Sequence, residues 1–457
     1  MLRTACGILA LALSLYAFYS RIRPGDQFPK LRDKWWGEGY RIMETHYVED
    51  SRIEVTDKVL YDLQNRLKAT QKLHPSYLGM GQRYGIRDNV MQDVLDYWTN
   101  HYNFTKRLEF INQYPHRFVK IRGLTIHFLY AEAQRKHQNT RVIPLLMVHG
   151  WPSSFLEFYE VLPMLVKSDP TLDFVFEVVA PSIPGFAFSD YPHKPGMSAI
   201  YIAQIFAELM EILEYDHYYV HGGDWGGVII QHMAHRYPHR VLGMHSTMCY
   251  VNTITSNLKF IIGSYLPSLI YEPEEMRLWN KTANSIAFMV EEGGYFHLQA
   301  TKPDTIGMAL RDSPIGLAAY MLEKFSTLTN ANYRDREDGG LTEKFTMEQL
   351  LDNVMVYWVT RCMTSAMRIY AEAITNYELE FNRYMRILVP AGCARFPNEI
   401  LLSPRYILKE RYTNLVHLTT YNNGGHFAAM EVPGSLAYDI TSFVEKVEKM
   451  RPAKKRS

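Results

Sequence analysis

His221-Gly222-Gly223-Asp224-Trp225-Gly226-Gly227 follows a short apolar run, Tyr218 to His221, and precedes a helical stretch that begins at Val228. Glycines stand two positions before and two after Asp224, the spacing of G-x-S-x-G with a carboxylate at its centre. A nucleophile on a sharp strand-to-helix turn needs glycine there, because those positions crowd neighbouring backbone and the central residue is itself strained. A glycine-rich turn whose aspartate only caps a helix would read the same way in isolation. The apolar run directly upstream favours the nucleophile elbow.

Outward from the elbow, apolar runs alternate with helical stretches, the α/β pattern of a parallel sheet covered by helices. Phe118 to Arg122 and Leu124 to Tyr130 are expected to form a hairpin around Gly123. Leu145 to Val148, Phe174 to Ala180 and Tyr218 to His221 are expected as strands, the last after a helix over Ile202 to Leu213. Two more strands, Ile387 to Val389 and Leu415 to Tyr421, complete the core. Between residues 250 and 375 the spacing is helical, as at Met363, Met367, Tyr370 and Ile374, and far too long for an αβ connection. An inserted helical lid is expected there, over the carboxyl ends of the strands where such sheets bind ligands. Upstream, residues 25–115 are rich in charge and aromatics, with helical spacing over Val59 to Leu67 and Val90 to Trp98.

The identity of the nucleophile restricts the chemistry. A serine attacking an sp³ carbon would leave an ether, which water does not readily release. A carboxylate leaves an ester, whose carbonyl carbon water can attack. Asp224 therefore points to displacement at saturated carbon, in an epoxide or a haloalkane. The attacking water needs a base. Asn423-Gly424-Gly425-His426-Phe427 comes immediately after the last expected strand, which singles out His426 among 17 histidines by place rather than by type. Glu399, after the strand Ile387 to Val389, stands where a carboxylate would orient the imidazole, whereas Asp352 and Glu378 precede that strand. His149-Gly150-Trp151-Pro152 follows the strand Leu145 to Val148, so the N–H groups of Trp151 and Trp225 are candidates for an oxyanion hole. His149 itself is expected to support that loop.

Composition adds limits. Forty-nine basic side chains nearly cancel 48 acidic ones, leaving no global field that would attract nucleic acid. The four cysteines, Cys6, Cys249, Cys362 and Cys393, are too sparse for a disulfide framework and lack metal-ligand spacing. That usage fits a reducing compartment and remains compatible with a single bridge. From Ala5 to Tyr19 every residue but Ser14 is apolar, glycine or alanine, bounded by Arg3 and Arg21. As a helix the run spans roughly 22 Å and reaches across a bilayer core by recruiting its flanks. A cleaved signal peptide has this length too, but Ala17-Phe18-Tyr19-Ser20 is bulky for a cleavage site. The excess of basic residues after the run places the body of the protein in the cytosol. The ending Lys454-Lys455-Arg456-Ser457 resembles a dilysine retrieval signal of the endoplasmic reticulum membrane. Two sequons, at Asn103 and Asn280, are then expected to stay unmodified.

Together these motifs resemble the microsomal epoxide hydrolase family, which includes the insect juvenile hormone epoxide hydrolases. Beyond the motifs around Trp151 and Asp224, the likeness takes in Pro181-Ser182-Ile183-Pro184-Gly185-Phe186, Lys302-Pro303-Asp304-Thr305 and Leu322-Glu323-Lys324-Phe325-Ser326. It implies an α/β-hydrolase fold with an amino-terminal segment wrapping the core, an apolar epoxide and water as reactants, and no metal or organic cofactor. It also implies that Tyr295, in Gly293-Gly294-Tyr295-Phe296-His297, and Tyr370, in Arg368-Ile369-Tyr370, donate protons to the epoxide oxygen. Spacing alone would not have chosen them among 32 tyrosines. The expected organisation is an anchor over 1–23, an amino-terminal segment over 24–116, core over 117–249 and 376–457, and a lid over 250–375. Ser153 departs from the family, where glycine is commoner after the proline, as does the charged Cys393-Ala394-Arg395 before Glu399. Two rivals share parts of this pattern. A haloalkane dehalogenase would use the aspartate and histidine but has no need of paired phenols, and a non-catalytic lipid-binding scaffold would lack part of the triad.

Overall fold

Nine strands form one sheet in the order β1-β2-β3-β5-β4-β6-β7-β8-β9 within residues 31–375 and 385–452, the parts of the chain that the computed structural model describes. They are β1 (Glu49–Ser51), β2 (His116–Ile121), β3 (Leu124–Ala131), β4 (Arg141–Val148), β5 (Phe174–Pro181), β6 (Tyr218–Gly222), β7 (Val241–Ser246), β8 (Ala391–Arg395) and β9 (Leu415–Thr420). From β5 through β9 every pairing is parallel, and β1, β2 and β3 add an antiparallel edge. Leu146, Val148, Val220 and Met244 are fully buried, as expected where helices cover both faces of a parallel sheet.

Three expectations need correction. The helix after the elbow runs Asp224–Arg236 and so begins at Asp224 itself, not at Val228. β7 was not expected, because Gly243, His245 and Ser246 interrupt its apolar character. All three are nevertheless buried, with His245 Nε2 held 2.8 Å from Asp439 Oδ1. The strand expected at Ile387 to Val389 lies instead at β8, and Ile387 makes only an isolated bridge to Tyr412. Small residues fill β8 because the Phe443 ring lies against it. A Cβ on Gly392 would come within 2.7 Å of that ring.

The amino-terminal segment forms helices Asp57–Lys68, Asp88–Asn100 and Phe104–Ile111, which bury Leu67, Val94, Trp98 and Ile111. The Asn103 side chain caps the third by accepting from Lys106 N–H. Between β7 and β8 the chain forms a helical insertion from Ile254–Tyr265 to Met363–Thr375, including Met347–Thr360. Arg107 grips Asp352 of that last helix with Nε 3.0 and 2.9 Å from its two oxygens, and the Tyr102 hydroxyl donates to the same carboxylate at 2.7 Å. Both residues come from the amino-terminal segment, so this segment is bonded to the insertion.

Cys249 and Cys393 form a disulfide beside the β7–β8 pair, and Cys362 is a buried free thiol. Among the described residues no helix is long and apolar enough to cross a membrane. The expected anchor over 1–23, the competing Glu378 and the basic ending 454–457 all lie outside the described residues.

Candidate active site

Asp224 sits at the tip of the elbow with φ +46°, in the left-handed region that side chains with a Cβ adopt at a cost. The turn closes this tightly because neighbouring backbone occupies the space a side chain would need. A Cβ on Gly226 would lie 1.9 Å from the Val148 carbonyl oxygen, and one on Gly150 would lie 2.4 Å from Asp224 Oδ1. The second contact explains why glycine precedes Trp151. It lets the Trp151 N–H reach in and donate to Asp224 Oδ1 at 2.8 Å. Trp225 N–H is a first-turn amide with no helical acceptor four residues back. The remaining oxygen, Oδ2, lies 3.5 Å from His426 Nε2.

His426 follows β9 and is buried, with its other nitrogen, Nδ1, 2.8 Å from Glu399 Oε1. Glu399 is buried too, and the same oxygen accepts Ile400 N–H at 2.7 Å. Burial opposes charging of the imidazole, but Glu399 and Asp224 outweigh it and hold the pKa well above the ordinary value for histidine. Asp352, the competing carboxylate, is tied to Arg107 and Tyr102 instead.

The turn that carries Trp151 is held from the insertion. Asn353 Nδ2 donates to Pro152 O at 2.6 Å and the Tyr357 hydroxyl donates to Ser153 O at 2.7 Å. His149 Nε2 accepts Ile183 N–H at 3.1 Å, and burial pushes its pKa down to about 4, so the ring is a neutral prop at physiological pH. The expected supporting role of His149 matches this arrangement.

Two cavities meet at Asp224. The larger, of about 730 Å³, is walled mostly by apolar side chains such as Val228, Phe260, Ile261 and Leu402, and both Tyr295 and Tyr370 line it. Their rings lie 6.2 Å apart, and both pack against Trp151, at 5.3 Å for Tyr295 and 5.9 Å for Tyr370. Burial raises the pKa of each phenol, followed by the Asp224 charge for Tyr295 and by Tyr295 and then Asp224 for Tyr370, so both keep their protons.

The chain matches two family descriptions, "Epoxide hydrolase N terminus" over residues 48–158 and "alpha/beta hydrolase fold" over 143–266. It is 42% identical to Juvenile hormone epoxide hydrolase 2 of Ctenocephalides felis over 96% of this chain and 95% of that one. It is 38% identical to Epoxide hydrolase 1 of Oryctolagus cuniculus over 97% of this chain and 99% of that one. The chain belongs to the microsomal epoxide hydrolase family. The crystal structure of juvenile hormone epoxide hydrolase from the silkworm Bombyx mori superposes with a TM-score of 0.88 at 37% identity, covering 92% of this chain and 99% of that one. The epoxide hydrolase structure from Aspergillus niger gives 0.74 at 26% identity, covering 88% of this chain and 97% of that one. The chain is thus an epoxide hydrolase on an α/β-hydrolase fold, with an epoxide and water as its reactants.

In this epoxide hydrolase every site residue expected from sequence is gathered within one region, from Asp224, His426 and Glu399 to Trp151, Trp225, Tyr295 and Tyr370. Sequence reasoning missed Glu157. It stands on a single 3-10 turn, Phe155–Phe158, and lines the smaller cavity together with Asp224 and His426. The available signal was a lone carboxylate in Phe155-Leu156-Glu157-Phe158, directly after the oxyanion motif.

Proposed function

We propose that the enzyme opens apolar epoxides in two steps, through a covalent ester on Asp224. The observation that carries the reading is the split environment of that carboxylate. One oxygen is held by Trp151 N–H, and the other is free toward His426 and the cavity lined by the two phenols. In the first step Oδ2 attacks an epoxide carbon, the C–O bond breaks, and Tyr295 and Tyr370 stabilise and protonate the departing oxygen. In the second step water attacks the ester carbonyl carbon and gives a proton to His426, while Trp151 and Trp225 N–H groups hold the oxyanion. Collapse breaks the ester bond as His426 returns its proton to the departing alkoxide, and the new Asp224 carboxyl gives its own proton to His426, releasing the vicinal diol and restoring the carboxylate.

The electrostatics time these steps. With Asp224 ionised, two carboxylates hold a proton on His426. Ester formation removes the Asp224 charge, so the imidazole pKa falls, its proton passes through solvent to the phenolate left by ring opening, and a neutral base is available when the water needs it. The same event removes a charge that opposes ionisation of the phenols.

His426→Gln tests this scheme. The variant should accumulate a species heavier than the protein by the mass of the epoxide, seen in intact mass spectra. Single turnover of the wild type in ¹⁸O-water should give largely unlabelled diol. No adduct, or label in the first diol, would mean direct attack by water.

The helical insertion serves as the lid that brings both phenols over the elbow. A cavity of about 730 Å³ with apolar walls fits long lipid or terpenoid epoxides and bulky aromatic ones. The apolar run Ala5 to Tyr19 anchors the chain in the endoplasmic reticulum membrane, with the catalytic body on the cytosolic side. Burial of both sulfurs in the Cys249–Cys393 bridge shields it from cytosolic thiols. Release of the full chain from membranes by alkaline carbonate would count against the anchor.

A further inference from the structure

The smaller cavity beside Asp224 measures about 20 Å³, room for about one water molecule. Gly150, Trp151, Glu157, Thr247, Asp224 and His426 all line it, whereas neither Tyr295 nor Tyr370 does. Asp224 therefore faces the epoxide chamber on one side and a water-sized chamber on the other. We infer that Glu157 is a positioning residue for the hydrolytic water, holding it in the smaller cavity between His426 Nε2 and the carbonyl carbon of the Asp224 ester. This rests on the covalent scheme proposed above.

The chemistry requires two partners for that water. One O–H must point at His426, which takes the proton, and the second must be tied down so that the oxygen lone pair faces the carbonyl carbon. The Glu157 carbonyl oxygen accepts this second O–H. The carboxyl also has to be neutral. As an anion it would join Glu399 in holding a proton on His426, and it would repel the oxyanion that forms at Asp224. Burial supplies the neutral form, pushing the Glu157 pKa up to about 8. The Ser153 hydroxyl and His426 work against that shift, and Asp224 adds to it. Ser153 stands where glycine is commoner in the family, so this chain places a hydroxyl beside the carboxyl.

The other titratable groups near Glu157 are Tyr357 on helix Met347–Thr360, His221 at the end of β6, and Glu431 on the short turn Ala428–Glu431. Burial holds the Tyr357 phenol protonated and the His221 ring neutral throughout the working range. Glu431 is also raised to about 8 by burial, but one of its oxygens accepts Phe427 N–H at 2.9 Å and it does not line the cavity. It is the control.

The test uses the full-length enzyme with an aryl-substituted epoxide. Intact mass is followed in rapid-quench single turnovers, which separates ester formation from ester hydrolysis. In the wild type, hydrolysis should decline on the alkaline side as Glu157 ionises, with a midpoint below the resting enzyme's value of about 8 because the ester no longer carries the Asp224 charge. Glu157→Gln stays neutral, should hydrolyse the ester at pH 7 within a few-fold of wild type, and should lose that alkaline decline. Glu157→Ala should slow hydrolysis by about tenfold or more, so that ester accumulates, with ester formation little changed. Unchanged ester formation in Glu157→Ala shows that this variant has folded, so a loss confined to hydrolysis is not a failure to fold. The inference is overturned if Glu157→Ala hydrolyses the ester at the wild-type rate. It is equally overturned if the alkaline decline persists in Glu157→Gln and disappears in Glu431→Gln. Absence of adduct in His426→Gln would sink the covalent scheme itself, whereas adduct there with normal hydrolysis in Glu157→Ala would sink only the role of Glu157.

Discussion

Glu399→Gln should slow ester hydrolysis by about three orders of magnitude and leave ester formation nearly intact. Glu399 Oε1 lies 2.8 Å from His426 Nδ1, with the two side chains 0% and 2% exposed, so solvent screens the pair little. Charge centres about 4 Å apart in a medium of effective dielectric about 20 interact by about 4 kcal/mol, or about a thousandfold in rate if all of it stabilises the imidazolium. Glutamine removes that charge, and its N–H₂ group can donate to Nδ1. Donation there would fix the tautomer whose Nε2 carries the proton and cannot accept one from water. In the proposed scheme ester formation depends on Asp224 and the phenols, none of which bonds to Glu399. Rapid mixing of excess enzyme with substrate, acid quenching and intact mass at successive times yields both rates from one experiment. Equal decreases in the two rates would refute the reasoning, because they would mean that Glu399 shapes the elbow and not the base.

Tyr295→Phe and Tyr370→Phe should each slow ester formation by about a hundredfold, with the double variant slower still, while hydrolysis of preformed ester is unchanged. Slowed hydrolysis with normal ester formation in the same assay would show that the phenols do not serve the departing oxygen. Arg107→Ala leaves the buried Asp352 carboxylate without its cation and should lower stability by about 3–5 kcal/mol, read from chemical denaturation. A loss below 1 kcal/mol would mean that the Tyr102 bond alone carries the contact.

The elbow and the tight turn of His149-Gly150-Trp151-Pro152 could be read in sequence because close backbone approach leaves no choice of residue. The 1.9 Å clearance at Gly226 is such a case. His426 could be placed because a loop after the last strand has to lie above the sheet. Strands β7 and β8 were lost or displaced for the opposite reason. Their polar and small residues answer to partners far away in the chain, Asp439 for His245 and Phe443 for Gly392, and no local pattern announces those contacts. Tyr295 and Tyr370 came only from the family likeness, since each looks locally like one more ring in an apolar helix. Glu157 escaped notice because its significance lies in a cavity that exists only after four distant segments have come together.

The bond between the amino-terminal segment and helix Met347–Thr360 gives that segment a say in catalysis at a distance. Asp352 is gripped from behind by Arg107 and Tyr102, while the next residue, Asn353, and Tyr357 hold Pro152 and Ser153 from the front. One rigid rod therefore transmits the grip of residues around 100 to the peptide that carries the Trp151 N–H. A hydrolase that shed its leading segment would keep all its reacting groups and still lose the aim of the donor that meets the growing negative charge.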